Sequence, residues 1–192
     1  MPHKAADRIR NVALIGHRGS GKTSLHEAML YEAGAVNRLG KVADGSTVSD
    51  HEEDEHEREM SIGATLASFE HGDRKINLID TPGDPSFVAD AVSSLRVADA
   101  AVVVVNAVMG VEVHTERLWT RADDEGLARL VFVNMLDRER ADFFRVLNAV
   151  REQLSDRCVA IQLPIGAEHE LTGIVDLLHN CAYLDPAGAR EG

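Results

Sequence analysis

The chain is poor in cysteine, in long apolar runs and in positive charge. Two cysteines, Cys158 and Cys181, stand in 192 residues. That is too few for a disulfide scaffold and fits a reducing compartment. The longest strongly apolar, uncharged stretch is residues 100–105, far short of the roughly 18 residues that a membrane helix needs. The opening residues, MPHKAADRIR, hold no apolar segment of signal-peptide type. A cytoplasmic setting without a membrane is the expectation. Lysine and arginine number 20 against 32 aspartates and glutamates, a net charge of −12, which argues against a broad face gripping nucleic acid. What is present is ordinary for a globular domain. Apolar residues make up 44% and charged residues 27%, enough to bury a core and to exclude disorder of the whole chain. The length suits one domain with an appended subdomain.

Short β-rich runs alternate with helical stretches. Strands are expected over 11–15, 64–71, 75–80, 100–105, 130–133 and 158–163, and helices over 22–32, 85–97, 113–125 and 140–154. The second and third strands form a hairpin through Gly72-Asp73. The run at 100–105 is continuously apolar, as a strand covered on both faces should be. This order predicts an α/β fold with a mainly parallel sheet and helices on both faces. Ligands in such sheets bind outside the carboxyl ends of the strands, so the chemistry should follow each β run. Residues 34–60 carry few apolar side chains, and a loop of that length is functional or mobile. Within it Glu52, Glu53, Asp54, Glu55, Glu57 and Glu59 form an acidic cluster with His51 and His56, read as a solvated charged segment. His114, His169 and His179 show no ligand spacing and are expected at the surface or in caps. Cys158 is expected as an inert core thiol, Trp119 as packing, and residues from 185 onward as a frayed tail.

Three signals carry chemistry. Gly16, His17, Arg18, Gly19, Ser20, Gly21, Lys22 and Thr23 fit G-x-x-x-x-G-K-[ST], after a strand and opening a helix. The glycines let backbone N–H groups turn around phosphate oxygens, helped by the helix N-terminus, and Ser24 completes the expected binding set. Lys22 should reach the β- and γ-phosphates, and Thr23 should ligate Mg²⁺. The second signal is Asp80, Thr81, Pro82 and Gly83 at the end of a strand. Alone it is an ordinary turn; beside a phosphate loop, Asp80 is the expected holder of Mg²⁺ through water, and Gly83 offers a closely approaching N–H. The third is Asn134-Met135-Leu136-Asp137 after LVFV. Alone it is a loop. In this order, Asp137 can accept from guanine N1 and N2, a donor pair adenine lacks, while Asn134 braces the base or the loop.

These residues resemble the amino-terminal GTPase domain of elongation factor G over about residues 11–178. The resemblance includes LYEAGAVNRLGKVADGSTVSD, the first-switch stretch HEEDEHEREMSIGATLASF, ADAAVVVVNAVMGVEVHTERLW, and PIGAEHELTGIVDLL at the start of an inserted subdomain. It implies a P-loop NTPase fold with a GTP-binding core over 1–157 and the start of the inserted subdomain over 158–192. It also implies GTP and GDP as ligands, Mg²⁺, and a monomer acting on the ribosome in translocation or recycling. A GTP-dependent binding module with little hydrolysis and a ribosomal protection factor are the alternatives. Departures from the family pattern set the site expectations. Ser61 stands in place of a threonine and keeps a hydroxyl for Mg²⁺. Met135 replaces a lysine and supplies only the apolar part of a brace over the base. Gly19 replaces an aspartate. Asp84 occupies the position of the family's catalytic histidine, with slow hydrolysis the expected consequence. The family continues well beyond this length, and no Ser-Ala dipeptide occurs here for its final guanine contact. The chain is therefore expected to be part of a larger multidomain protein, whose other domains supply most ribosomal contacts.

Overall fold

The computed structural model describes residues 5–49, residue 55 and residues 60–184. The apolar first strand forms the centre. β1 (Ile9–Ile15) lies parallel to β3 (Arg74–Asp80) on one side and to β4 (Ala100–Asn106) on the other. β2 (Thr65–His71) pairs antiparallel with β3, and β5 (Ala128–Asn134) forms the far edge, giving the order β2-β3-β1-β4-β5. The α-helices described are α1 (Lys22–Glu32), α2 (Val88–Leu95), α3 (Val113–Asp124) and α4 (Phe143–Gln153). This is the expected α/β architecture of a P-loop NTPase.

Strand alternation explains the two covered faces. Val12 and Leu14 of β1, Ile76 and Leu78 of β3, and Ala67 and Phe69 of β2 gather with Leu25, Met29 and Leu30 of α1 in one apolar cluster. Neighbouring strand residues point to opposite faces. Ala13 and Ile15, both fully buried, therefore face the other layer, where α2 contacts β1 and α3. At 11 residues, α1 is shorter than the ~12–15 at which an isolated helix becomes stable. Burying a leucine such as Leu14, Leu30 or Leu78 contributes ~1.5–3 kcal/mol, so packing against the sheet is what holds this helix. In the parallel register Leu14 pairs with Asp80. That pairing brings the residue after β3 beside the loop that follows β1.

Most elements end within a few residues of the sequence reading, and the larger differences have local causes. The helix expected from 140 begins at Phe143, because Arg140 takes a left-handed φ of 68° and Asp142 caps the helix by accepting from the Arg145 N–H at 3.0 Å. The helix expected over 85–97 opens as a 3₁₀ turn, Pro85–Phe87, and becomes α-helical only from Val88. The strand expected over 158–163 is β6 (Gln162–Ile165). Cys158 precedes it and is half-buried rather than a core residue. β6 includes Pro164, paired with Ile174, and an edge strand tolerates a residue without an N–H. β6, β7 (Gly173–Asp176) and β8 (Cys181–Leu184) form a separate antiparallel sheet in that order.

The described residues fall into two compact units, 1–105 with 112–132, and 106–111 with 133–192. The acidic cluster, apart from Glu55, and the tail from 185 lie outside the described residues. Among those described, no helix is long and apolar enough to cross a membrane.

Candidate functional site

Between Ile15 and Lys22 the chain turns at the carboxyl end of the central strand. Gly16, Gly19 and Gly21 take φ values of 146°, 77° and 88°, and a Cβ on Gly16 would also collide with the Val104 carbonyl. Gly21 is the N-cap of α1, and the first turn holds neither a side-chain cap nor an acid. Its N–H groups and the positive end of its dipole therefore favour an anion. Lys22 lies buried, its Nζ donating to the Gly16 carbonyl at 3.1 Å and the His17 carbonyl at 2.9 Å. Burial pushes its pKa down to about 8, against an upward pull from Asp80.

Asp80 arrives from the neighbouring strand. Its Oδ2 accepts from Thr23 Oγ1 at 2.7 Å, and Thr23 Oγ1 lies 3.1 Å from Ser61 Oγ. Three oxygen-bearing side chains thus converge beside one ammonium. Thr81 turns away, its hydroxyl donating to the Leu14 carbonyl at 2.6 Å and so bracing β3 against β1. Pro82 and Gly83 are buried. Gly83 crosses directly over the loop: a Cβ there would collide with Lys22 Nζ and stand 2.8 Å from both the Arg18 nitrogen and the His17 oxygen. Gly19 and Ser24 are exposed, whereas Ser20 is buried with its N–H on the His17 carbonyl at 3.3 Å.

Asp84 caps the 3₁₀ turn after it. Its Oδ1 accepts from the Ser86 N–H at 2.9 Å, and its Oδ2 lies 3.8 Å from Arg18 Nη1. The Ser86 N–H, with the charge of Arg18 as a lesser cause, holds its carboxyl below the usual range.

The third signal belongs to the other compact unit. Asn134 ends β5; its Oδ1 accepts from the Met135 N–H at 2.9 Å, and its carbonyl accepts from the Ala107 N–H at 2.8 Å. Met135 takes a left-handed φ of 60°, and its sulfur accepts from Asn106 Nδ2 at 3.1 Å. Asp137 is exposed at the following turn.

Several residues escaped the sequence reading. His17 is fully buried with its Nδ1 3.2 Å from Thr115 Oγ1, which ties the loop to the first turn of α3. Burial, then Lys22 and His114, push its pKa down to about 4. His114 is buried rather than at the surface. Glu55, expected in solvent, is buried and accepts from the Ile62 N–H at 2.9 Å. Glu27 accepts from the N–H groups of Gly40 and Val48, and His26 Nδ1 lies 2.9 Å from Ser49 Oγ. One signal was available: His26 and Glu27 stand one turn from the apolar Met29 and Leu30, where polar residues demand partners. His179 is exposed and capped, its N–H donating to the Asp176 carboxylate at 2.9 Å, and Trp119 packs beneath the Arg129 guanidinium, whose central carbon lies 4.3 Å from the indole ring centroid.

The donor set fits a magnesium nucleotide. It combines left-handed glycines, an uncapped helix start, a buried ammonium, and hard oxygens from Thr23, Ser61 and Asp80 of the kind Mg²⁺ prefers. The family model described as the elongation factor Tu GTP binding domain matches residues 7–183. The crystal structure of a protein from Thermus thermophilus superposes on 94% of this chain with a TM-score of 0.88 and 38% identity; this chain spans 27% of that protein. The chain therefore belongs to the elongation factor Tu GTP-binding domain family, the GTP-binding domains of translational GTPases.

Proposed function

We propose that this chain is the GTP-binding, Mg²⁺-dependent GTPase domain of an elongation factor G-like protein, a cytoplasmic monomer that acts on the ribosome in translocation or recycling. The observation that carries the reading is the convergence of Thr23, Asp80 and Ser61 beside the buried Lys22. Lys22 and the N–H groups of residues 16–24 hold the β- and γ-phosphates. Thr23 and Ser61 would hold Mg²⁺ directly and Asp80 through water, and Mg²⁺ would supply positive charge against the phosphates when bound. The Gly83 N–H meets the γ-phosphate, with Thr81 and Pro82 fixing its approach. Asn134, Met135 and Asp137 take the guanine base. Loss of the γ-phosphate then releases the segment after Asp80 and the Ser61 hydroxyl. The GTP-binding core runs over 1–157, and 158–192 open an inserted subdomain.

Hydrolysis by this site is slow. An ionised Asp84 is acceptor-only and cannot donate to the attacking water, and its carboxylate already serves the Ser86 N–H. That engagement is also what favours the second reading, a GTP-dependent binding module with little turnover.

Calorimetric titration with GDP, ADP and Mg²⁺ tests the base assignment. Asp137→Ala should weaken GDP binding by about 1.5–3 kcal/mol, the worth of hydrogen bonds to a charged acceptor, and abolish the preference over ADP. Equal binding of both nucleotides by the unmutated chain refutes it. GTP turnover by the full-length protein should rise when ribosomes are added, and an unchanged rate refutes the ribosomal role.

A further inference from the structure

We propose that Arg18, held against Asp84 across the phosphate loop, is a catalytic residue of the hydrolysis, its guanidinium stabilising the negative charge that develops on the γ-phosphoryl group. The inference rests on the nucleotide reading above. Arg18 follows His17, whose carbonyl holds Lys22 at 2.9 Å. The backbone nitrogen of Arg18 lies 2.8 Å from where a Cβ on Gly83 would stand, so the 82–84 segment passes directly over residue 18. The side chains then meet, Arg18 Nη1 standing 3.8 Å from Asp84 Oδ2. Stability does not account for this pair. The Arg18 side chain is 59% exposed, and exposed ion pairs contribute little.

Chemistry does account for it. A lone carboxylate at position 84 would repel a triphosphate, whereas the Arg18–Asp84 pair is neutral. One carboxylate oxygen is fixed by the Ser86 N–H at 2.9 Å, so the other offers the guanidinium a fixed anchor. A guanidinium has five donors in a planar fork and can bond a carboxylate and a phosphoryl oxygen together, which an ammonium point charge does less well. Phosphoryl transfer asks mainly for placed positive charge. As the water oxygen bonds to the γ-phosphorus, the bond to the bridging oxygen breaks and GDP leaves with that electron pair. The water proton ends on the phosphate product. Arg18 exchanges no proton in this step, and Asp84 is a positioning residue.

The test compares the unmutated chain with Arg18→Ala, Arg18→Lys, Asp84→Asn and the double variant Arg18→Ala/Asp84→Asn. The probes are Mg²⁺ with GDP, and Mg²⁺ with GDP and aluminium fluoride, which mimics the planar phosphoryl group in flight. Arg18→Ala should weaken aluminium fluoride capture at least about tenfold more than it weakens GDP binding, since arginines stabilising this charge contribute far more than that elsewhere. Arg18→Lys should recover part of the loss. Asp84→Asn should lose less than Arg18→Ala, and the double variant no more than Arg18→Ala alone. Undiminished capture by Arg18→Ala, or GDP binding without any capture by the unmutated chain, overturns the proposal. Failure of the unmutated chain to bind GDP instead overturns the nucleotide reading beneath it.

Discussion

Acid should loosen this domain through a histidine that no phosphate contact requires. His26 is fully buried in α1 with its Nδ1 2.9 Å from Ser49 Oγ. Burial brings its pKa from 6.5 down to about 4, only partly offset by a backbone hydrogen bond at Leu78. The folded chain therefore keeps this imidazole neutral where the unfolded chain protonates it. Its contribution to stability is full above the unfolded pKa and is lost as pH falls from 6.5 toward about 4. At 1.36 kcal/mol per pKa unit the complete loss is about 3 kcal/mol, of which about 2 kcal/mol has gone by pH 5. Urea unfolding followed by circular dichroism, at about pH 7.5 and pH 5 without nucleotide, measures it. His26→Gln will itself cost stability, so only the difference between the two pH values counts. The unmutated chain should lose about 2 kcal/mol more than the variant over that interval. His17, also near 4, titrates in both and cancels. Equal losses refute the assignment of the acid sensitivity to His26.

Replacing Lys22 by Ala should remove triphosphate binding, by about 1.5–3 kcal/mol or more for a lost charged contact, while leaving urea stability unchanged or higher, because a desolvated ammonium opposes folding; calorimetry and unfolding measured together check it, and unfolding of the variant without ligand would show the lysine to be structural. Gly83→Ala places a Cβ against Lys22 Nζ and should weaken GTP by about 1–3 kcal/mol, the usual cost of overpacking, with GDP affected less; an unchanged ratio of GTP to GDP affinity refutes the close approach. Asp142→Ala removes the cap on the Arg145 N–H and should lower the stability of the second unit by about 1 kcal/mol, read as a shift in urea midpoint.

The glycine turn and the start of α1 were legible because their information is contiguous. Eight residues from Gly16 to Thr23 state the turn, the helix start and the lysine together, and each requirement is local: positive φ, an uncapped helix start, one long cation. Strand positions were legible for a similar reason, since runs such as residues 100–105 are apolar throughout. Element ends were less so. Nothing in the run from Arg140 announces that its φ is 68°, and the helix waits for the cap at Asp142. Long-range pairings were the least legible. His17 meets Thr115 across 98 positions, and Glu27 reaches the N–H groups of Gly40 and Val48. Such contacts have no periodicity, because the sheet and the loop bring the partners together rather than a single element.

Asp84 shows why one residue can defeat a motif-by-motif reading. By sequence it is either a helix cap or the stand-in for a catalytic side chain. In the structure Oδ1 accepts from the Ser86 N–H and Oδ2 faces Arg18, so the cap is shown and the second role is the positioning one proposed above. The cap is what makes the second role workable, since a carboxylate free to rotate would not hold a guanidinium in one place. It also keeps the group ionised, because a bond from an N–H favours the charged form. A substitution that departs from the family at residue 84 is thus coupled to the side chain at residue 18. The two positions should be exchanged together when this domain is compared with histidine-bearing relatives: a histidine placed alone at 84 would leave Arg18 without its anchor and Ser86 without its acceptor.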